Sequence, residues 1–158
     1  MKEIKFRAWN KTDKVMRNML CYSNISGCAL LSIDNGNEKS SSWFRKDEIE
    51  LMQYTGLHDK NGKEIYEGDI VKQSFEISRW DAWDECILDL NGTDIGEVTI
   101  IPSKGACIKN PICCREENGE VTETNVKHKM FKNIVSSRCE VIGNIHQNPE
   151  LLKEDANE

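Results

Sequence analysis

Seven cysteines and three histidines are the side chains of this 158-residue sequence that could support metal or nucleophilic chemistry. A structural zinc site favours thiolates paired two to four residues apart, and Cys107, Cys113, Cys114 and Cys139 offer no such pair. The adjacent Cys113 and Cys114 would point to opposite faces of a strand. Cys107 and Cys139 sit in apolar strand candidates, where cysteine acts as a small hydrophobe. His58, His128 and His146 lie far apart, with no HxH or HExxH pattern around them. A Cys–His nucleophile pair meets only in space, so the sequence leaves it open. A nucleophile elbow and a phosphate-cradling glycine loop are both absent. Asp59 and Asp69 could pair as catalytic carboxylates, but nothing places them on one face. Their positions beside turns point to accepting hydrogen bonds from loop amides. The expectation is no catalytic residue, no metal and no cofactor.

The elements that position these residues are organised around Leu51–Lys72, LMQYTGLHDKNGKEIYEGDIVK. Leu51, Met52, Tyr54 and Leu57 form a strand-capable run, with Gly56 inside it. Asn61-Gly62 is the strongest short hairpin signal, because Asn tolerates positive φ and Gly takes it without steric cost. Ile65 and Tyr66 resume the strand. Gly68, beside Asp69, marks a second corner, and the β-branched Ile70 and Val71 restart the chain as a strand.

This stretch closely resembles the central motif of the YopX family, known mainly from phage and prophage genomes. Two further pieces agree. Lys5-Phe6-Arg7-Ala8-Trp9 followed by Val15-Met16 is similar to that family's N-terminal strand pair. Cys139–Ile145 followed by Asn148-Pro149-Glu150-Leu151-Leu152 is similar to its C-terminal signature. The three pieces stand in family order. The resemblance implies a phage or prophage origin and a β-rich fold. The family has no established biochemical activity, so no catalytic residue is carried over.

Length and composition are those of one ordinary globular domain, 1–158, with 73–137 as a variable or inserted segment. Hydrophobic residues make up 38% and charged residues 30%. The 21 Lys and Arg against 27 Asp and Glu give a formal charge of −6, the wrong sign for a dominant phosphate-binding surface. Lys127, Lys129 and Lys132 are the one modest basic cluster. No apolar run is long enough to span a bilayer, and the opening Met1-Lys2-Glu3 has no apolar signal region, which points to the cytoplasm. Reduced thiols without disulfides follow from that compartment.

The remaining elements read as hairpins. Ile4, Phe6 and Ala8 alternate with Lys5 and Arg7, and Val15–Leu20 returns against them. Ala29–Ile33 is a short strand, Asp34–Ser42 an exposed loop, and Trp43–Glu50 either a helical turn or an extended lead-in. Trp80, Trp83 and Ile87 have helical spacing. Asn91-Gly92-Thr93-Asp94 reads as a turn, Asn110-Pro111 as a break, and Asn118-Gly119 as a hairpin. Asn148-Pro149-Glu150 carries the signals of a helix start. The expected fold is mainly β: a strongly bent sheet or partly open SH3-like barrel with one or two short helices, one of them C-terminal.

On these grounds the expected role is that of an accessory protein acting by protein binding or self-association, with a homo-oligomer or a host or phage protein as partner. Trp80 and Trp83 are the candidate interface residues. Nucleic-acid binding, or mimicry that antagonises a host nucleic-acid-binding protein, is the alternative. Tryptophans stack on bases, while the net charge opposes it.

Overall fold

A computed structural model describes residues 4–34, 39–81 and 86–153. The chain divides into two compact units, 1–56 and 57–158, where the sequence reads as one domain. Both are built from antiparallel strands. Among the described residues the strands form no closed barrel.

The first unit is a four-stranded meander whose fifth strand crosses back to pair with the first. β1 (Phe6–Asn10), β2 (Val15–Ser23), β3 (Cys28–Asp34), β4 (Lys39–Arg45) and β5 (Ile49–His58) lie in the order β4-β3-β2-β1-β5. Ala8, Ala29, Leu31 and Ile49 form its buried cluster, with Met19, Phe44 and Leu51 packed against them. Of the expected 34–42 loop, Asp34 and Lys39–Ser42 are strand residues, with Ser40, Ser41 and Ser42 of β4 paired to Ile33, Ser32 and Leu31, and 35–38 lie outside the described residues. A 3-10 turn at Lys46–Glu48 then leads into β5. In it, Glu48 reaches back to accept a hydrogen bond from the Arg45 N–H at 2.8 Å.

In the second unit, β6 (Glu64–Tyr66) follows the end of β5 across a tight turn. The main sheet comprises β7 (Asp69–Asp81), β8 (Cys86–Ile101), β9 (Gly105–Glu117), β10 (Glu120–Lys127), β11 (Phe131–Asn133) and β12 (Cys139–Asn144). Its order is β10-β9-β8-β7-β12, with β11 pairing beside β9. Ile65, Val71, Val98, Ile108, Cys139 and Val141 form its core, joined by Leu57 and Ile134. The segment 73–137 is therefore most of this sheet.

Four local expectations change. The helical spacing around Trp80 lies in a strand: β7 and β8 pair continuously from Ile70↔Glu97 to Asp81↔Cys86. A short isolated helix is marginal in water, and a ladder of cross-strand neighbours outweighs it. Asn91–Asp94 is mid-strand in β8. Gly92 is required there because a Cβ would lie 2.4 Å from the Cys114 carbonyl oxygen and 2.6 Å from the Phe75 ring. Asn110-Pro111 does not break β9. Asn110 takes φ 44° and the pairing with β8 shifts by a bulge between Ile95 and Glu97. The C-terminal helix is a four-residue 3-10 turn, Pro149–Leu152. Asn148 gives its N-terminus no side-chain cap, its amide lying instead 3.5 Å from Glu150 Oε1.

Candidate functional site

The central motif forms a turn held by one carboxylate. Asp59 Oδ1 accepts from the N–H groups of Asn61 and Lys63 at 2.8 and 2.9 Å, and Oδ2 accepts from Val141 N–H at 3.0 Å. Gly62 carries the positive φ, 81°. Burial alone would raise the Asp59 pKa, but the Val141, Lys63 and Asn61 N–H donors and the Lys63 charge outweigh it and hold the pKa below the ordinary value. At the next corner Gly68 has φ 77°, and buried Asp69 accepts from Tyr66 N–H at 2.8 Å. Gly56, within β5, also has positive φ, 83°. The two carboxylates thus serve different backbone segments and share no hydrogen-bond donor among those described. Asp59 ties its turn to β12, 82 residues away in sequence.

The densest group of ionisable side chains lies on one face of the main sheet. Register sets Cys139, Gln73, Asp94 and Cys113 side by side across β12, β7, β8 and β9. Directly opposed residues share a face. Lys132 on β11 reaches down to Asp94, its Nζ lying 2.6 and 2.7 Å from the two carboxylate oxygens. The Cys113 thiol donates to Asp94 Oδ1 at 2.7 Å. Gln73 donates to Asn133 O and accepts from Val135 N–H, at 3.1 and 2.6 Å. Phe75, two residues along the same face, has the Lys132 ammonium 5.3 Å and the Arg115 guanidinium 5.9 Å from its ring centre. The group has two jobs: it neutralises a carboxylate that is only 2% exposed, and it fastens the strap 128–138 to the sheet. Spacing in sequence gave no sign of it, since Asp94 and Lys132 stand 38 residues apart.

Its chemistry is that of a stable clamp. Burial, the hydrogen bond to Asp94 and the Asp94 charge push the Cys113 thiol up to about 11, against smaller opposing effects of Lys132 and Arg115. Burial, with the charges of Asp59 and Asp69, also pushes Cys139 up to about 11. An activated cysteine is shifted the other way. Cys107 is fully buried, and Cys114 faces the opposite side from Cys113 and is half-buried. Among the described residues, no three His, Cys, Asp or Glu side chains come together as a metal site. An open depression of about 640 Å3 beside β7–β9 is lined by Ser74, Phe75, Glu76, Thr93, Cys114, Glu116 and Arg138. No histidine lines it.

The first unit presents a different surface. On β4, Lys39, Ser41, Trp43 and Arg45 alternate onto one face, opposite Asp34, Ser32, Leu30 and Cys28 of β3. Trp43 is 54% exposed. Leu20, at a β2 bulge, is also exposed. Of the tryptophans singled out from sequence, Trp80 lies in β7 opposite Ile87, its side chain outside the described residues, and Trp83 lies outside them altogether. Trp43 belongs to the 43–50 stretch, which the sequence leaves between a helical turn and an extended lead-in; the structure places it in β4.

Among the described residues, no helix is long and apolar enough to cross a membrane. The molecule is an all-β protein of two antiparallel sheets, with a strap clamped to the main sheet by Asp94 and Lys132. It belongs to the YopX protein family, whose model matches residues 5–153. The fold is similar to the crystal structure of protein EF1440 from Enterococcus faecalis, with a TM-score of 0.52 and 22% identity, covering 97% of this chain and 100% of that one. At that identity the likeness speaks to fold alone. Comparison with curated proteins gives no match.

Proposed function

We propose that this protein is an accessory protein of phage or prophage origin that works by binding protein chains, its own copies first, without a catalytic step. The carrying observation is the outer edge of β4, which no strand pairs among the described residues. An unpaired strand edge is a template for another chain, and natural proteins blunt such edges with bulges, short length, charged side chains or cover; β4 carries its two charges, Lys39 and Arg45, only at its ends. β10 is blunted by two register shifts, and β6 is three residues long. The outer edge of β12 is occupied where Lys60 N–H donates to Cys139 O and Val141 N–H to Asp59. β4 has seven residues in unbroken register with β3, and all but Phe44 are exposed. Light scattering across micromolar concentrations tests the reading. The supporting result is a mass above the 18.1 kDa of one chain that returns to that value in Trp43→Lys; a single-chain mass for the unaltered protein throughout defeats it. The same assay on Trp80→Ala with Trp83→Ala tests whether these two residues share the contact.

A second reading, nucleic-acid binding, has one specific observation in its favour. Residues 1–56 hold nine Lys and Arg against seven Asp and Glu, a formal +2, while 57–158 hold twelve against twenty, a formal −8. Trp43 therefore stands between Lys39 and Arg45 on the less acidic unit, the composition of a base-stacking surface. Saturable quenching of tryptophan fluorescence by single-stranded oligonucleotide, lost in Trp43→Ala, supports this reading over the first. No quenching at low salt removes it.

A further inference from the structure

We infer that the partner of β4 is β4 of a second copy, paired antiparallel about a two-fold axis at Trp43. This rests on the self-association reading above and specifies its geometry. An isologous contact uses one patch twice, so β4 must complement itself.

In an antiparallel pair, directly opposed residues share a face, and side-chain pairing sets the register. Three registers keep the faces matched and overlap most of β4. Centred on Ser42, the pair sets Lys39 directly against Arg45 of the second copy at both ends. Like charges directly opposed are destabilising. Centred on Ser41, it sets Lys39 against Trp43 and carries Arg45 past the start of the partner strand. Centred on Trp43, it stacks the two indoles as a cross-strand aromatic pair and places Ser41 opposite Arg45. It also brings Lys39 of each copy toward the acidic turn, Asp47 and Glu48, that follows β4 in the other. Asp47 is exposed and holds only a surface bridge to its own Arg45 at 3.3 Å, so it is open to a second cation. This register joins aromatic pairing to charge complementarity at both ends. The alternative of β4 on β10 of another copy meets the two register shifts in β10, which interrupt a continuous ladder.

The contact buries Trp43, now half exposed, beside Leu30 of the same cross-strand row. It also satisfies the outward backbone groups of β4, which face water in a single copy.

Introduced cysteines read the register directly. In a background with Cys21, Cys28, Cys86 and Cys114 replaced by serine, which leaves only the buried Cys107, Cys113 and Cys139, Trp43→Cys, Ser42→Cys and Ser41→Cys are each oxidised with copper–phenanthroline. A residue on the two-fold axis meets its own counterpart and forms a disulfide-linked dimer. Trp43→Cys is expected to cross-link at least tenfold faster than the other two. Faster linkage of Ser42→Cys or Ser41→Cys overturns the register, and equal slow linkage of all three in a protein that light scattering shows to be oligomeric overturns the β4–β4 contact while leaving self-association standing. Because Trp43→Cys removes the indole pair, the unaltered protein supplies a second readout. Circular dichroism should show an exciton couplet from paired indoles that disappears in Trp43→Phe and on dilution to single chains. An oligomer whose spectrum is unchanged by Trp43→Phe also overturns the inference. A single-chain mass at every concentration removes both the inference and the reading beneath it.

Discussion

Lys132 seats its ammonium between the two carboxylate oxygens of Asp94, at 2.6 and 2.7 Å, on the inner face of the main sheet. Asp94 is almost wholly buried, whereas the Lys132 side chain is 23% exposed, so the pair is unequal. Removing the cation strands a buried charge; removing the carboxylate frees a lysine that still reaches water. Breaking a buried pair from one side costs about 3–5 kcal/mol. Lys132→Met should therefore lower the unfolding free energy by roughly that amount. Asp94→Leu with Lys132→Met should recover most of the loss, since a well-packed apolar pair often matches a buried ion pair. Urea denaturation of the three proteins measures this. Equal stability of Lys132→Met and the parent would show that the clamp contributes nothing.

The same carboxylate governs Cys113. Its thiol is buried and raised to about 11, so it should resist alkylation at neutral pH while exposed Cys21 reacts first. Asp94→Asn keeps an acceptor oxygen for the thiol but removes the negative charge. The apparent pKa of Cys113 is then expected to fall, read as thiolate ultraviolet absorbance in a variant retaining Cys113 alone. An unchanged titration would assign the shift to burial by itself.

Glycine gives a prediction that separates backbone strain from crowding. Gly62 has φ 81° with nothing near the position of a Cβ, so Gly62→Ala meets only the left-handed backbone cost, about 1–2 kcal/mol. Gly92 lies in a regular strand, where a Cβ would strike the Cys114 carbonyl oxygen and the Phe75 ring. Gly92→Ala should cost more, up to about 3 kcal/mol, because rigid backbone cannot yield as a side chain can. Thermal melts in the reverse order would contradict both assignments.

That contrast marks what could be read from sequence. The Asn61-Gly62 turn is visible because the demand for positive φ is local and chemical. Asn118-Gly119, between β9 and β10, takes positive φ at both residues, 50° and 83°, whereas in Asn61-Gly62 only the glycine does. Asn91-Gly92 has the same composition, yet it lies mid-strand for a reason located on two other strands. Cys113 and Cys114 alternate as strand geometry requires. The Asp94–Lys132–Cys113 group was hidden, because register alone assembles it and register depends on the whole ladder. β4 was hidden for a different reason. Three serines look like a loop, and only pairing with the apolar β3 makes them a strand.

Acid should unfold the second unit through Asp59. Three backbone N–H donors hold its folded pKa below that of the unfolded chain, which titrates near the ordinary aspartate value of about 3.9. The folded state then binds fewer protons, so this contribution is complete above the unfolded pKa and is lost as pH falls through the lowered folded pKa. Asp13 is also lowered, through Arg17, but it is exposed and its pair contributes little. Asp59→Asn should separate the two. An amide oxygen can replace one carboxylate oxygen, but the amide NH2 then confronts either Val141 N–H or the turn donors, two donors without an acceptor. The variant is expected to be less stable at neutral pH by about 1–3 kcal/mol, the cost of an unsatisfied buried group. Its stability should also fall less steeply between about pH 5 and pH 2, because the titrating group is gone. Urea midpoints measured at a series of pH values give both quantities, and parallel curves for variant and parent would place the acid-sensitive group elsewhere.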